Sequence, residues 1–206
     1  ISLIVTAPNI MVTHPSVPAA TVPEFIKYAK ANPKRLNFSS FGDGSSAHLV
    51  GEMFKSAAGV SMVHVPYKGG GPALAAVMGG EVQLTFSNLS VALPQVKGGK
   101  VKGIAVTSAK RATALPDLPT IAESGLPGFE AIASVGIMAP AGTTRALVSR
   151  VNRDVHAVVS EAVMKEQFIS RGLEIALSTP EEFARYMRTE IERWGRVVRE
   201  AGIPVK

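Results

Sequence analysis

The sequence predicts an α/β fold built on an open, mostly parallel sheet, and three observations carry that prediction. Strand-like and helix-like segments alternate as far as Pro140, the loops between them are short, and strand-like segments repeatedly end in small or hydroxyl-bearing residues. At 206 residues the chain can bury a real core as one large or two small domains.

The elements follow in order. "ISLIVTAPNIMVTH" is extended, interrupted at Pro8, and opens abruptly in strand-like sequence, as a chain would that begins in the middle of a fold. Thr21 and Glu24 have the spacing of a capping box, with the threonine bonding forward and the glutamate back. Phe25, Ile26 and Ala29 give that helix its apolar face, and Asn32-Pro33 ends it. Residues 36–40 read as a short strand. Residues 45–58 read as a helix with Leu49, Val50, Met53, Phe54 and Ala57 on one side and Gly59 at its C′ position. "SMVHVPYK" is a strand, "GGGPALAAVMGG" a glycine-led helix, "VQLTFSN" a strand, "LSVALPQVKGG" a helix and "VKGIAVTS" a strand. "KRATALPDLPTIAESGLPGF" is a surface excursion punctuated by proline and glycine, after which "EAIASVGIMAP" returns as a strand.

From residue 143 the pattern is helical. Leu147, Val151, Val155 and Val158 recur at helical steps. Thr179-Pro180-Glu181-Glu182 is a second capping box, and Phe183, Met187, Ile191, Trp194 and Val198 mark one face of a long closing helix. Those faces need a sheet, yet only "LEIALS" lies nearby. Either they pack on the first sheet or their partner lies outside this chain.

Composition narrows the chemistry. Without cysteine there are no disulfides, no thiolate catalysis and no Cys-based zinc or iron–sulfur sites. A net charge of +6 favours anionic partners in general. The densest basic cluster, "RTEIERWGRVVRE", mixes signs at helical spacing and reads as a solvated helix face, so no nucleic-acid partner is expected. No apolar run approaches the ~18 residues of a spanning helix, so no direct membrane insertion is expected, and the start carries no secretory signal.

The residues after the strands share one composition: Ser39-Ser40-Phe41-Gly42, Tyr67-Lys68-Gly69-Gly70-Gly71, Ser87-Asn88 and Thr107-Ser108. In an open α/β sheet, ligands bind outside the carboxyl ends of the strands, where the next helices aim their N-termini. Small residues let a ligand approach the backbone and hydroxyls add neutral donors, which makes an anion site without fixed charge. Each piece also has a plain reading. Ser45 or Ser46 alone is an N-cap, the glycine run is a turn, and Ser87-Asn88 caps a helix. Predicted convergence on one sheet edge is what favours a site.

Catalytic constellations are thin. Gly42 to Ala47 fit G-x-G-x-x-A, but a dinucleotide site also wants an acid at the end of the next strand, where the chain reads "HVPYKGG". His14, His48, His64 and His156 show no metal spacing. His64 reads as a core or edge histidine, whereas His48, in a first helical turn, could face a pocket. No nucleophile–base set can be nominated, so no enzyme, cofactor or metal is expected.

The blocks "FSSFGDGSSAHLVGEMFKSAAGVSMVHVPYKGGGPALAAVMGGEVQLTFSN", "GKVKGIAVTSAKRATALPDLPTIAESGLPGFEA" and "APAGT", in this order over nearly the whole chain, resemble the substrate-binding proteins of tripartite tricarboxylate transporters, the Bug family. The resemblance implies a two-domain, periplasmic-binding-protein-like (Venus flytrap) receptor in the periplasm. Such a receptor binds a small carboxylate between its domains and delivers it to permease subunits in the membrane. It implies that residues 10–132 form the second domain, and that 1–9 and 133–206 supply the hinge crossings and the C-terminal part of the first. The N-terminal part of the first domain would then be absent. Carried over by position, the carboxylate loop is Ser40, Gly42, Gly44, Ser45 and Ser46, leading into His48. A second loop is Tyr67, Gly69 and Gly70, and a polar strand end is Ser87-Asn88. Where many members carry bulky aromatics, this chain has Ser134-Val135, which implies a wider or differently shaped pocket. A nucleotide-dependent enzyme using the GDGSSA loop, and a fragment without a ligand of its own, are the alternatives. A domain-swapped dimer is a further expectation from the apolar helix faces.

Overall fold

The computed structural model describes residues 1–33 and 35–203. One strand organises it. β1 (Ser2–Thr13) is almost wholly buried, and it belongs to two sheets in succession. Its second half pairs antiparallel with β4 (Leu84–Asn88) and β5 (Lys102–Val106). Its first half pairs antiparallel with β6 (Ile132–Ile137) and β7 (Glu174–Ile175). The change of partners falls between Pro8, opposite Ile132, and Asn9, opposite Asn88. Proline has no N–H to give a ladder, so it sits naturally where one set of pairings stops.

The larger sheet has the order β3-β2-β4-β1-β5, with β2 (Asn37–Ser40) parallel to both β3 (Val63–Pro66) and β4. The expectation of a mostly parallel sheet needs correction, because the interior strand β1 runs against both its neighbours. β2 to β5 share one direction, each reached through a helix, while β1 enters from the other sheet. Side chains on β1 alternate between two cores. Met11 joins Phe25, Phe38, Phe54 and Phe86 on the face covered by α1 (Val22–Ala31) and α2 (Ser46–Ala58). Ile10 and Val12 join Leu74, Val77, Leu89 and Leu93 under α3 (Gly70–Met78) and α4 (Leu89–Lys97).

The smaller sheet carries α5 (Arg145–Val159), α6 (Ala162–Ser170) and α7 (Pro180–Glu200). Its core is Ile4, Val5 and Val159, with Val155, Phe168, Leu173 and Ile175 against them. The closing helices therefore do have a sheet, made from the first half of β1 with β6 and a two-residue β7. It is narrow, and this corrects two expected stripes. On α7 Phe183 is buried but Ile191 is 71% exposed, and on α5 Leu147 and Val158 are half exposed while Val159 is inside. Periodicity shows which face is apolar, not how wide a partner it meets. Among the described residues, no helix is long and apolar enough to cross a membrane.

The two expected capping boxes form unevenly. Thr179 and Glu182 form a complete box, and their bonds hold the Glu182 carboxyl below its usual value. Thr21 accepts from the Glu24 N–H, but the Glu24 carboxylate reaches back to the Ala20 N–H, one residue further than the box requires. Gly59 ends α2 with φ +61°, as a C-terminal glycine should.

Thr107 ties the two crossings together. Its hydroxyl accepts the Asn9 N–H at 3.0 Å and also reaches the carbonyls of Asn9 and Ala131, while its own carbonyl accepts the Ala131 N–H at 2.8 Å. Thr107→Val keeps the shape and strands the buried Asn9 N–H. It is expected to lower stability by about 1–2 kcal/mol in denaturant titration, because a buried donor left unpaired loses its full solvation.

Candidate functional site

Because β2, β3 and β4 point the same way, α2, α3 and α4, which follow them directly, all begin at one edge of the larger sheet. Their starts share a second property. α1, α5 and α7 begin at Thr21, Thr144 and Thr179, whose hydroxyls accept a first-turn N–H. α2, α3 and α4 begin at Ser45, Gly69 and Asn88, and none of these makes a side-chain cap. (α6, on the smaller sheet, also lacks one at Glu161.) Among the described residues, three sets of first-turn N–H groups, each at the positive end of a helix dipole, are thus left without a side-chain cap at a single edge.

The β2–α2 loop is held from within. The Ser45 hydroxyl occupies the N-cap position but donates backward to the Gly42 carbonyl at 2.7 Å, so its expected capping role is not played. Ser40 is fully buried. Its Oγ donates to the Gly42 carbonyl at 3.0 Å, accepts the Gly42 N–H at 3.2 Å and lies 2.6 Å from His64 Nε2. Gly42 (φ +126°) and Gly44 (φ +72°) stand in backbone conformations that side chains rarely tolerate, so the loop's shape needs glycine at both. Ser46 is half-buried at the first helical position, where its own N–H is one of the free ones.

The other expected residues divide. Gly69 (φ +114°) and Gly70 start α3 at this edge, with the Phe41 ring 3.5 Å from where a Gly70 Cβ would lie. The Tyr67 backbone is present, its N–H bonded to the Ser40 carbonyl, but its hydroxyl donates to Glu81 beyond the far end of α3. The phenol therefore points away from the loops, and burial and then Glu81 raise its pKa. Ser87 is fully buried, with only a long 3.4 Å bond to the Asn88 carbonyl. Asn88 is half-buried, with its side-chain oxygen inaccessible and unpaired. At the end of β3, Tyr67 and Lys68 offer no acid for a ribose, as expected from the sequence.

Sequence reasoning missed Asn9. It lies opposite Asn88 in the β1–β4 register, is fully buried, and among the described residues finds no partner for either end of its amide. Alternation puts both amides on the α2 face of the sheet, with Met11 and Phe86. Buried amides are almost always paired, so two orphans side by side at this edge mark it as unusual. (Thr13, at the other end of β1, has an orphaned hydroxyl as well.) The signal in the sequence was a lone amide within an apolar strand.

His48 and His64 come together although nothing in their spacing announces it. The rings stack at 3.7 Å between centroids and 7° between planes, behind the β2–α2 loop and beside the buried Phe38 ring. His48 thus faces under the loop rather than out of it. Burial lowers its pKa, against the pull of Glu52 and Asp43. Burial and then the neighbouring His48 push His64 down to about 4.

A concavity of about 470 Å³ lies toward the opposite end of α2, against α7 near Glu52, Lys55 and Val197. Another, of about 420 Å³, lies at the crossing between Pro8, Lys110, Arg111 and Glu174. Neither collects the free N–H groups, and it is those groups that give the edge its chemistry.

A family model described as "Tripartite tricarboxylate transporter family receptor" matches residues 1–203. The chain is 32% identical to the protein BugT of Bordetella pertussis over 206 residues, which is all of this chain and 63% of BugT. A solved structure of an R. palustris protein with adipate superposes at a TM-score of 0.90 with 36% identity, covering 98% of this chain and 67% of that one. MatC from Rhodopseudomonas palustris, solved with bound malate, superposes at 0.83 with 29% identity, covering 96% and 68%. The chain therefore spans about two thirds of the length of the proteins it resembles.

Proposed function

This chain belongs to the tripartite tricarboxylate transporter family of receptors, and from that premise we propose that it captures a small carboxylate in the periplasm for delivery to the membrane permease subunits of such a transporter. The observation that carries the reading is the set of uncapped starts of α2, α3 and α4 at one sheet edge. A carboxylate there accepts charge-assisted hydrogen bonds from first-turn N–H groups and lies along three helix dipoles. The binding groups are the backbone at Ser46, Gly70 and Leu89, with the Ser46 hydroxyl and the Asn88 side chain. Ser40, Gly42, Gly44, Ser45, Gly69 and Ser87 shape the loops and strand ends beneath. Relatives solved with adipate and with malate support the dicarboxylate class. The exposed pair Ser134-Val135 on β6 leaves room for a ligand shape of this chain's own.

Residues 10–132 act as the ligand-binding domain in this reading. The crossings at Pro8–Asn9 and Ala131–Ile132 are where a closing rotation is absorbed.

Calorimetric titration with a panel of di- and tricarboxylates, against neutral polyols of the same size, tests the proposal. Saturable binding of carboxylates alone is expected, and Ser46→Ala should weaken it by about 0.5–1.5 kcal/mol for one lost hydrogen bond. Equal binding of the neutral polyols, or no binding of any carboxylate, would contradict it.

A further inference from the structure

The stacked histidines have a proton inventory that can be read atom by atom. A neutral imidazole carries one N–H and one bare nitrogen. The Gly44 N–H donates to His48 Nδ1 at 3.1 Å, so Nδ1 is the bare nitrogen. The one proton of that ring is then on Nε2, facing Glu52 at 3.9 Å. The Ser40 hydrogen goes to the Gly42 carbonyl, so His64 Nε2 is the donor to Ser40 Oγ at 2.6 Å, and His64 Nδ1 faces Asp43 at 3.7 Å.

Donor atoms of Asp43, His48 and His64 cluster within 4.8 Å, which invites a metal reading. The stacking argues against it. A bare imidazole nitrogen binds an ion in the plane of its own ring, and an ion between two parallel rings lies out of both planes. His48 Nδ1 is moreover already engaged with Gly44. The donor set fits a clasp on the loop instead.

We propose that His48 is the positioning residue of the anion cradle: its bare Nδ1 ties the Gly42–Ser45 loop to α2 while the ring is neutral, and protonation of that nitrogen releases the loop. A protonated Nδ1 turns its N–H against the Gly44 N–H, two donors with no acceptor between them. Gly44 then has to swing away, and with it the segment that leads into the free N–H groups of α2. The groups facing His48 come from every neighbouring element: Asp43 on the loop, Glu52 and Lys55 on α2, Phe38 on β2 and His64 on β3. Glu52 is itself held by Lys55 at 2.8 Å, which blunts its pull on the ring. Burial favours the neutral imidazole, so release falls below the ordinary histidine value. The consequence for affinity rests on the carboxylate reading: binding weakens as pH falls through the His48 transition.

The test needs no ligand, which separates its failure from failure of that reading. Backbone and imidazole ¹⁵N NMR of the unliganded protein is followed from about pH 8 to about pH 4, a range that spans the ordinary and lowered histidine values. The Gly44 amide resonance is expected to move with the same midpoint as the His48 ring, while the protection of the Gly44 amide, corrected for the intrinsic slowing of exchange with falling pH, decreases. In His48→Asn the side-chain oxygen takes the place of Nδ1 but does not titrate, so the Gly44 movement disappears. A Gly44 amide that ignores the His48 transition, or one that still titrates in His48→Asn, overturns the proposal. Should that variant not fold, the Gly44–His48 comparison in the parent decides alone.

Discussion

Ser46→Asp is expected to abolish carboxylate binding while leaving the fold as stable as before, or slightly more so. The first turn of α2 has no acidic residue, in contrast to Glu24 in α1 and Glu181 and Glu182 in α7. An acid at a helix start is ordinarily favourable by about 0.3–1 kcal/mol, and here it would also find the N–H groups that no cap uses. Those are the groups assigned to the ligand. A fixed carboxylate would take at least one charge-assisted bond, about 1.5–3 kcal/mol, and repel the incoming charge. Together these predict a loss of affinity on the order of 100-fold or more. Thermal unfolding and calorimetry on the same sample separate the two effects. Equal damage to both would mean only that the site was disturbed, and undiminished affinity would place the ligand elsewhere.

Phe54→Ala is expected to be the most destabilising single change considered, at about 3–5 kcal/mol in denaturant unfolding. Phe54 is fully buried, and its ring meets Phe86 at 5.5 Å, Phe25 at 6.1 Å and Phe129 at 6.2 Å between centroids. Its ring joins α2 to α1, to β4 and to the loop at Phe129, so its loss leaves a cavity among them. The same seating aims the N-terminus of α2. Partial unfolding that begins at α2 should therefore also disorder the β2–α2 loop. A loss below about 1 kcal/mol would mean that the core collapses around the gap.

Alternation of strands and helices was legible because its signals are local: a hydroxyl or glycine seam, an apolar stripe, a capping threonine. The direction of β1 was not. Whether a strand runs with or against its neighbours depends on where the chain comes from, and β1 arrives from a second sheet. Stripes were legible as faces but not as burial, which is why Phe183 and Ile191, on one predicted face, end up inside and outside. At the site, the loop residues could be named from small side chains at strand ends, yet their tasks could not. Ser45 bends back to Gly42, the Tyr67 hydroxyl leaves for Glu81, and His48 turns under the loop to meet a histidine from another strand. Asn9 stayed hidden because its partner in register, Asn88, lies far along the chain.

The most direct measurement is an amide-resolved NMR titration with a saturating dicarboxylate. The largest downfield shifts are expected on first-turn amides of three helices: Ser46 and Ala47, Gly70 and Gly71, and Leu89 and Ser90. Binding whose shifts gather instead around Lys110, Arg111 and Glu174, at the crossing, would contradict it, because an anion held there would owe its place to fixed charges and not to free helix starts.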